Sequence, residues 1–222
     1  MKIEFSSAMP MTLLEEFMLL ALDEQTGQMH PLTSVALDCA AGGAVLMDLT
    51  LRVRIDNDLH DMFTIDTTPV GDDILDPVLQ MMSLAPVLTP HPIAYWLRQL
   101  TDEGASFREK ALHRLEKRGV LRLQNSKILQ IFGKGNAPKI RGKEVNEIKA
   151  RLLNVILGDE VPLPRDIMLT GLAESCGLFY YLLSETEAES ASARIAQVAR
   201  MDLVGQAVAK GVAEIQSAIA MA

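Results

Sequence analysis

Residues 35–51 form the longest apolar stretch of the chain, and this stretch limits the possible folds more than any other segment. A helix that spans a bilayer needs roughly 20 predominantly apolar residues, whereas this stretch is shorter and contains Asp38 and Asp48. We therefore predict a buried helix over residues 34–51. Its run Ala40-Ala41-Gly42-Gly43 predicts that another helix packs very close, since glycine weakens a helix unless its small size is needed.

Helix signals recur along the rest of the chain, and 49% of the residues in the full sequence are hydrophobic. The Thr12-x-x-Glu15 capping box predicts a helix that runs to about residue 22, and Asp72 predicts the start of another that ends near residue 84. Gly119 predicts the end of a helix over residues 105–118. Further helical patterns cover residues 92–100, the residues after 142, a long segment centred on 171–183, and residues 190–220.

Two short hairpins interrupt the predicted helices. Residues 52–55 and 61–66 flank a turn at Asn57-Asp58, and residues 120–123 and 128–132 flank a turn over residues 124–127. The sequence thus predicts a mainly α protein, a single domain over residues 1–222. We expect a central helix bundle, surrounding amphipathic helices and small β-hairpins.

Residues that often carry chemistry are few and scattered. Cys39 and Cys176 lie in apolar helical stretches, which favours two buried thiols in a reducing cytosol, although a disulfide between them stays open. The four histidines lack metal-ligand spacing, no phosphate-binding glycine loop or nucleophile elbow is found, and Trp96 is predicted to be a core residue. Because no signal peptide is recognised, we expect a cytoplasmic protein. The missing metal-ligand spacing and phosphate-binding loop lead us to expect no cofactor.

The charge distribution is strongly asymmetric. Residues 104–151, here called the basic segment, contain thirteen Lys or Arg and four acids, a net charge of +9 in a chain of −8. The remaining residues therefore carry −17, and such polarisation predicts a surface that attracts polyanions on one side. Basic residues close to an anionic leaflet each contribute roughly 1 kcal/mol to membrane binding. The side chains predicted to contact anionic lipid are Arg108, Lys110, Arg114, Lys127 and Lys134, the last two in the second hairpin region.

Apolar residues lie in the middle of the basic segment, at Ile128, Leu129, Ile131 and Phe132. They either enter the headgroup boundary from an exposed hairpin tip or pack against the core, and their alternation does not separate the two interpretations. On any single helix, a solvated charged face without a ligand is an equally good interpretation of the basic residues.

Four segments occur in the order and spacing of the Golgi phosphoprotein 3 family, which the chain resembles. They are LLEEFMLLAL at residues 13–22 with Thr26-Gly27 after it, LTLRVRI at 49–55, TPVGDDILD at 68–76 and LEKRGVL at 115–121. The resemblance implies an α-helical domain around a central bundle, with a β-hairpin involved in self-association and membrane contact. It therefore implies a homo-oligomer that binds a membrane surface.

The resemblance also implies a lipid-binding site. Eukaryotic members bind phosphatidylinositol 4-phosphate through a Trp, an Arg and two further basic residues. In this chain Thr33 stands near the position of the Trp and Gly42 at that of the Arg, whereas Arg108 matches one further basic position and Ala105 stands at the other. Without placed guanidiniums, we expect general attraction to anionic phospholipid rather than selection of one headgroup.

Three other functions fit parts of the sequence. A scaffold that binds a protein partner instead of lipid is the first alternative. Asp72-Asp73-Ile74-Leu75-Asp76 is similar to the Asp-Asp-x-x-Asp turn that gathers Mg²⁺ in α-helical prenyl-transferring enzymes, but acids are also favoured in the first turn of any helix. A basic helix followed by a hairpin is similar to a winged-helix nucleic-acid binder, yet Phe107 and Phe132 are the segment's only aromatic residues. We therefore expect a protein without enzymatic activity at a membrane surface.

Overall fold

The computed structural model describes residues 10–24, 26–84, 91–122, 139–140, 142–158 and 161–220, and it confirms the mainly α fold. The helices are α1 (Leu13–Leu20), α2 (Ser34–Leu51), α3 (Leu75–Leu84), α4 (Ile93–Thr101), α5 (Gly104–Lys117), α6 (Gly142–Leu157), α7 (Pro164–Ser175), α8 (Phe179–Leu182), α9 (Glu185–Ala199) and α10 (Leu203–Ala220). The strands are β1 (Ile55–Asn57), β2 (Asp61–Thr64), β3 (His91–Pro92), β4 (Leu121–Arg122) and β5 (Lys139–Ile140).

Helix α2 is the centre of the fold. Thirteen of its 18 residues are buried, and it contacts α1, α4, α5, α7 and α10. By length and composition α2 is the one helix in the described residues that could cross a membrane, but 72% of it is buried inside the protein. It is therefore the buried core helix that the apolar stretch predicts.

Two adjacent glycines let neighbouring helices approach α2 closely. A Cβ atom at Gly42 would lie 2.9 Å from Cβ of Leu100 in α4, and one at Gly43 would lie 2.3 Å from Cγ2 of Val208 in α10. Carbon atoms in a packed interior do not approach this closely, so a side chain at either position would push a helix away. The prediction that these small residues serve close helix packing is confirmed.

Helix α1 begins at the predicted capping box and is anchored to α2. The Thr12 hydroxyl accepts a hydrogen bond from the Glu15 amide at 3.2 Å, and the Glu15 carboxylate accepts one from the Thr12 amide at 2.7 Å. Asp48, which is 2% exposed, accepts a 2.8 Å hydrogen bond from the Leu13 amide. Burial raises the pKa of Asp48 to about 7, although Arg165 and the amide act in the opposite direction.

A three-stranded antiparallel sheet in the order β1-β2-β3 packs beside α4. Ile55 lies opposite Thr64, and Met62 lies opposite His91. Trp96 in α4 is 4% exposed and donates a hydrogen bond from Nε1 to the Met62 carbonyl oxygen at 3.2 Å. Trp96 is thus a core residue, as predicted.

The first hairpin forms, but its first strand begins later than the sequence predicts. Residues 52–54 are not a strand, because α2 continues to Leu51 and then turns at Val53, whose φ is +56°. The amides of Val53 and Arg54 donate back to carbonyl oxygens in the last turn of α2, which is a Schellman ending. The predicted strand over residues 52–55 is therefore wrong for residues 52–54, and only Ile55 of that range lies in a strand.

Two other predictions, on the helix around residues 171–183 and on the second hairpin, have different outcomes. The long helix centred on residues 171–183 is broken, since α7 ends at Ser175 and Gly177 adopts a left-handed conformation with φ of +68° before the short α8. The described partner of β4 is β5, whereas the predicted partner strand, residues 128–132, lies outside the described residues. Cys39 and Cys176 are free, buried thiols.

Candidate functional site

Helix α5 carries the first part of the basic segment. Its buried residues Phe107, Ala111, Leu112 and Leu115 recur at helical spacing and face α1 and α2. The helix stops at Gly119, which has a φ of +72° and ends α5 as predicted. The opposite face carries charged side chains, and the partners of these side chains decide what they can bind.

Arg108 is held by an acid of the central helix. Its Nε and Nη2 atoms each lie 2.8 Å from Oδ1 of Asp38 in α2, and the two side chains are 13% and 19% exposed. Gly104 permits this contact, since a Cβ there would lie 2.4 Å from the Asp38 Cα. An anionic headgroup at Arg108 therefore competes with a carboxylate that the chain itself supplies.

Arg114 is also bound to carboxylates. Its Nη1 lies 2.9 Å from Oδ2 of Asp72 and its Nη2 lies 2.8 Å from Oδ1, a bidentate pair, and Nη2 also contacts Asp73. Burial acts to raise the pKa of Asp72, but hydrogen bonds from Arg114 and from the Leu75 and Ile74 amides outweigh it and lower that pKa. Arg114 therefore ties α5 to the start of α3.

The aspartate-rich turn at residues 72–76 is a helix start with occupied carboxylates. Asp72 accepts hydrogen bonds from the Ile74 and Leu75 amides at 2.8 and 3.0 Å, which caps α3. Asp76 accepts from the amides of Val70, Gly71 and Asp72. No group of three or more His, Cys, Asp or Glu that could hold a metal ion occurs among the described residues. Capping and ion pairing account for this turn.

Three further cations of the basic segment bind acids in α1 or shortly after it. Arg151 bonds to both carboxylate oxygens of Glu16, at 3.1 and 2.9 Å, and to Oδ1 of Asp166 at 3.0 Å. Arg118 Nε lies 3.0 Å from Glu15, which is fully buried, and Lys149 contacts Glu24.

These contacts correct the expectation of one uniformly basic surface. Five cations of the basic segment bond to carboxylates that lie elsewhere in the chain: Arg108, Arg114, Arg118, Lys149 and Arg151. The sequence places acids and bases in different segments, and folding brings them together. Much of the predicted charge separation is thus cancelled in ion pairs between helices.

Lys110 and Lys117 differ from these cations. Both are exposed on α5, and neither has an ion pair or a side-chain hydrogen bond in the part of the chain that the structure describes. They stand seven residues apart, so they share one face of the helix, roughly 10 Å from each other along its axis. Lys110 was predicted as a contact residue, whereas Lys117 was not. Lys127 and Lys134 lie outside the described residues.

Comparison with known protein families decides what kind of chain this is. The sequence model of the family described as Golgi phosphoprotein 3 (GPP34) matches residues 13–215. The chain belongs to the Golgi phosphoprotein 3 family. A search of curated proteins found no match.

Thr33 and Gly42 both have structural roles in helix α2. Thr33 caps α2, since its side chain accepts a hydrogen bond from the Ala36 amide at 3.3 Å. Gly42 faces Leu100 across a contact that leaves no room for a Cβ atom, much less an arginine side chain. In this Golgi phosphoprotein 3 family member, Arg108 on α5 is bound by a carboxylate that the chain itself supplies.

Proposed function

We propose that this member of the Golgi phosphoprotein 3 family is a cytoplasmic, peripheral membrane protein that binds anionic phospholipid through the exposed face of α5. The observation that carries the proposal is the pair Lys110 and Lys117, two exposed cations on one helix face with no partner among the described residues. Each contributes roughly 1 kcal/mol near an anionic leaflet, whereas cations already paired with carboxylates contribute less.

Arg108 and Arg114 take a secondary part in this proposal. Both lie on α5, but each is bound to aspartate, which already neutralises much of the charge that a lipid phosphate would meet. Lys127 and Lys134 belong to the proposed lipid-binding set on sequence grounds. On the same grounds we propose that the chain self-associates through the second hairpin.

The proposed recognition depends on charge and not on headgroup shape. Phosphatidylinositol 4-phosphate, the ligand of eukaryotic members, is bound through a Trp and an Arg that this chain replaces with Thr33 and Gly42. Exposed lysines act as point charges without the planar fork of arginine, so they attract phosphate without selecting its surroundings. We infer that any anionic phospholipid serves.

A protein-interaction scaffold is the second candidate, because the first hairpin exposes apolar side chains. Leu59 at its tip is 80% exposed, Phe63 40% and Ile65 48%. Such neighbouring apolar residues mark contact surfaces in many proteins. A protein partner that is lost on Phe63→Ser, in a chain that does not bind anionic vesicles, would favour this role.

The lipid proposal is tested by two substitutions with the same change of charge. Lys110→Glu removes a cation from the proposed face and adds an anion, while Arg200→Glu does the same at the exposed end of α9. In sedimentation with anionic vesicles at low salt, we expect Lys110→Glu to weaken binding by about 2 kcal/mol, roughly thirtyfold. Arg200→Glu should have a much smaller effect. Equal losses for the two variants would show that the α5 face is not the contact surface.

A further inference from the structure

A recess lies between α4 and α10, next to Cys39 of α2. Its volume is about 500 Å³, within the range of about 300–1,000 Å³ typical of small-molecule sites. Residues of all three helices line it, among them Cys39, Leu97, Arg98, Asp102, Gly211 and Lys210. We call this recess the α4–α10 cleft.

The floor of the α4–α10 cleft is apolar and built from small residues. Cys39 is 2% exposed and Leu97 is 4% exposed, and Ala207 lies beside them. A Cβ at Gly211 would lie 3.3 Å from the Cys39 Sγ, so α10 approaches the thiol closely. Burial raises the pKa of Cys39, which keeps the thiol neutral. Such a floor suits an alkyl chain better than a polar group.

The α10 wall of the cleft is internally paired. Nζ of Lys210 lies 4.0 Å from Oε1 of Glu214 one turn later, and both side chains are largely exposed. This wall therefore presents no net charge to a ligand.

The α4 wall presents one cation and one anion that do not pair with each other. Arg98 and Asp102 both line the cleft, and neither has an ion pair or side-chain hydrogen bond in the described part of the chain. A cation four residues before an anion is the less favourable order for a helical pair, so little is lost when both side chains turn to a ligand. Asp102 also caps the C-terminal end of α4, where the helix dipole disfavours a negative charge and favours a bound cation.

We propose that the α4–α10 cleft binds a zwitterionic amphiphile with a single alkyl chain. Its phosphate bonds to the Arg98 guanidinium, its ammonium group lies against the Asp102 carboxylate, and its chain lies on the floor formed around Cys39 and Leu97. A monoacyl phospholipid with an amine headgroup has this chemistry. The charges of the α4 wall match a zwitterion, whereas a purely anionic ligand would meet Asp102 and a purely cationic one would meet Arg98. The proposal does not depend on the α5 face.

The test is calorimetric titration of the full chain with four dodecyl amphiphiles below their micelle concentrations. Dodecylphosphocholine carries both charges, dodecyl phosphate only the anion, dodecyltrimethylammonium only the cation, and dodecyl maltoside neither. We expect one molecule of dodecylphosphocholine to bind per chain, and more tightly than the other three. Replacing it with the decyl analogue should weaken binding about fourfold for each methylene lost. Equal affinities for the four headgroups, or many molecules per chain, would overturn the proposal.

Two pairs of substitutions locate the site. Arg98→Met should weaken dodecylphosphocholine binding at least tenfold, as expected for a lost charged hydrogen bond, and Arg200→Met outside the cleft is the matched control. Asp102→Asn should weaken binding of dodecylphosphocholine but not of dodecyl phosphate. Arg98 and Asp102 are exposed, and their side chains make no ion pair or hydrogen bond within the described residues, so we expect these variants to keep the fold. If Arg98→Met and Arg200→Met bind alike, the cleft is not the site. Because Arg98→Met should leave vesicle binding unchanged, failure here is distinguishable from failure of the α5 proposal.

Discussion

Asp72 and Asp73 offer a matched pair of substitutions, because both carboxylates contact the Arg114 guanidinium while only one of them is buried. The Asp72 side chain is 7% exposed and that of Asp73 is 74% exposed. We expect Asp72→Ala to lower the free energy of unfolding by about 3 kcal/mol, about 1 from the lost cap of α3 and about 1.5–3 from the lost bonds to a charged partner. Asp73→Ala should lower it by less than about 0.5 kcal/mol, since exposed ion pairs contribute little.

Thermal and urea unfolding measure this difference. In a chain of this size, each kcal/mol shifts Tm by roughly 2–4 °C, so Asp72→Ala should lower Tm by roughly 6–12 °C and Asp73→Ala by no more than about 2 °C. The pKa of Asp72 is lowered on folding, so its contribution is present above the ordinary carboxyl pKa of about 3.9 and is lost as the pH falls through the lower folded value. The gap between wild type and Asp72→Ala should therefore close in acid. Equal destabilisation by the two substitutions would refute the reasoning that burial decides the strength of the pair.

Two further substitutions test local features of the fold. Val53→Gly should raise the free energy of unfolding by about 0.5–1 kcal/mol, because relief of about 1–2 kcal/mol of left-handed strain exceeds the added flexibility of the unfolded chain. Gly119→Val, at the equivalent turn after α5, should lower the free energy of unfolding by at least about 1 kcal/mol. If urea unfolding shows that both variants are less stable than wild type, the left-handed strain at Val53 is not the deciding factor. The folded pKa of Asp48 is raised to about 7, so Asp48 holds its proton more tightly in the folded chain than in the unfolded chain. The resulting stabilisation is complete below the ordinary carboxyl pKa and disappears as the pH rises through 7. Asp48→Asn should therefore gain stability relative to wild type between pH 4 and pH 8 in unfolding curves, and a pH-independent difference would count against it.

Local signals in the sequence predict most of the helices. The capping box at Thr12, the cap at Asp72 and the glycine at 119 each act over a few residues, and the structure has a helix boundary at each of them. The wrong strand over residues 52–55 has the same origin, since β-branched Val53 favours a strand and its left-handed turn is imposed by the Schellman ending of α2. Tertiary contacts stabilise that turn, so the neighbouring residues in the sequence do not predict it.

The charge pattern is the feature that the sequence alone misrepresents. Arg151 and Glu16 are 135 residues apart in the chain yet form two hydrogen bonds, and no count within a segment can show such a pair. One signal was present, because Glu15 and Glu16 interrupt the apolar run LLEEFMLL and buried acids require partners. Asp38 in the apolar stretch is a second example, and its partner is Arg108.

We propose that the chain binds membranes by charge and without headgroup selection. Vesicle sedimentation of the wild-type chain at low salt tests this with three compositions: neutral phospholipid, phosphatidylglycerol, and phosphatidylinositol 4-phosphate at the same total charge. We expect binding to both anionic vesicles with similar affinity, weak recovery with neutral ones, and loss of binding as salt is raised. Equal recovery with neutral and anionic vesicles would contradict lipid binding by charge, and a strong preference for phosphatidylinositol 4-phosphate at matched charge would contradict the absence of selection.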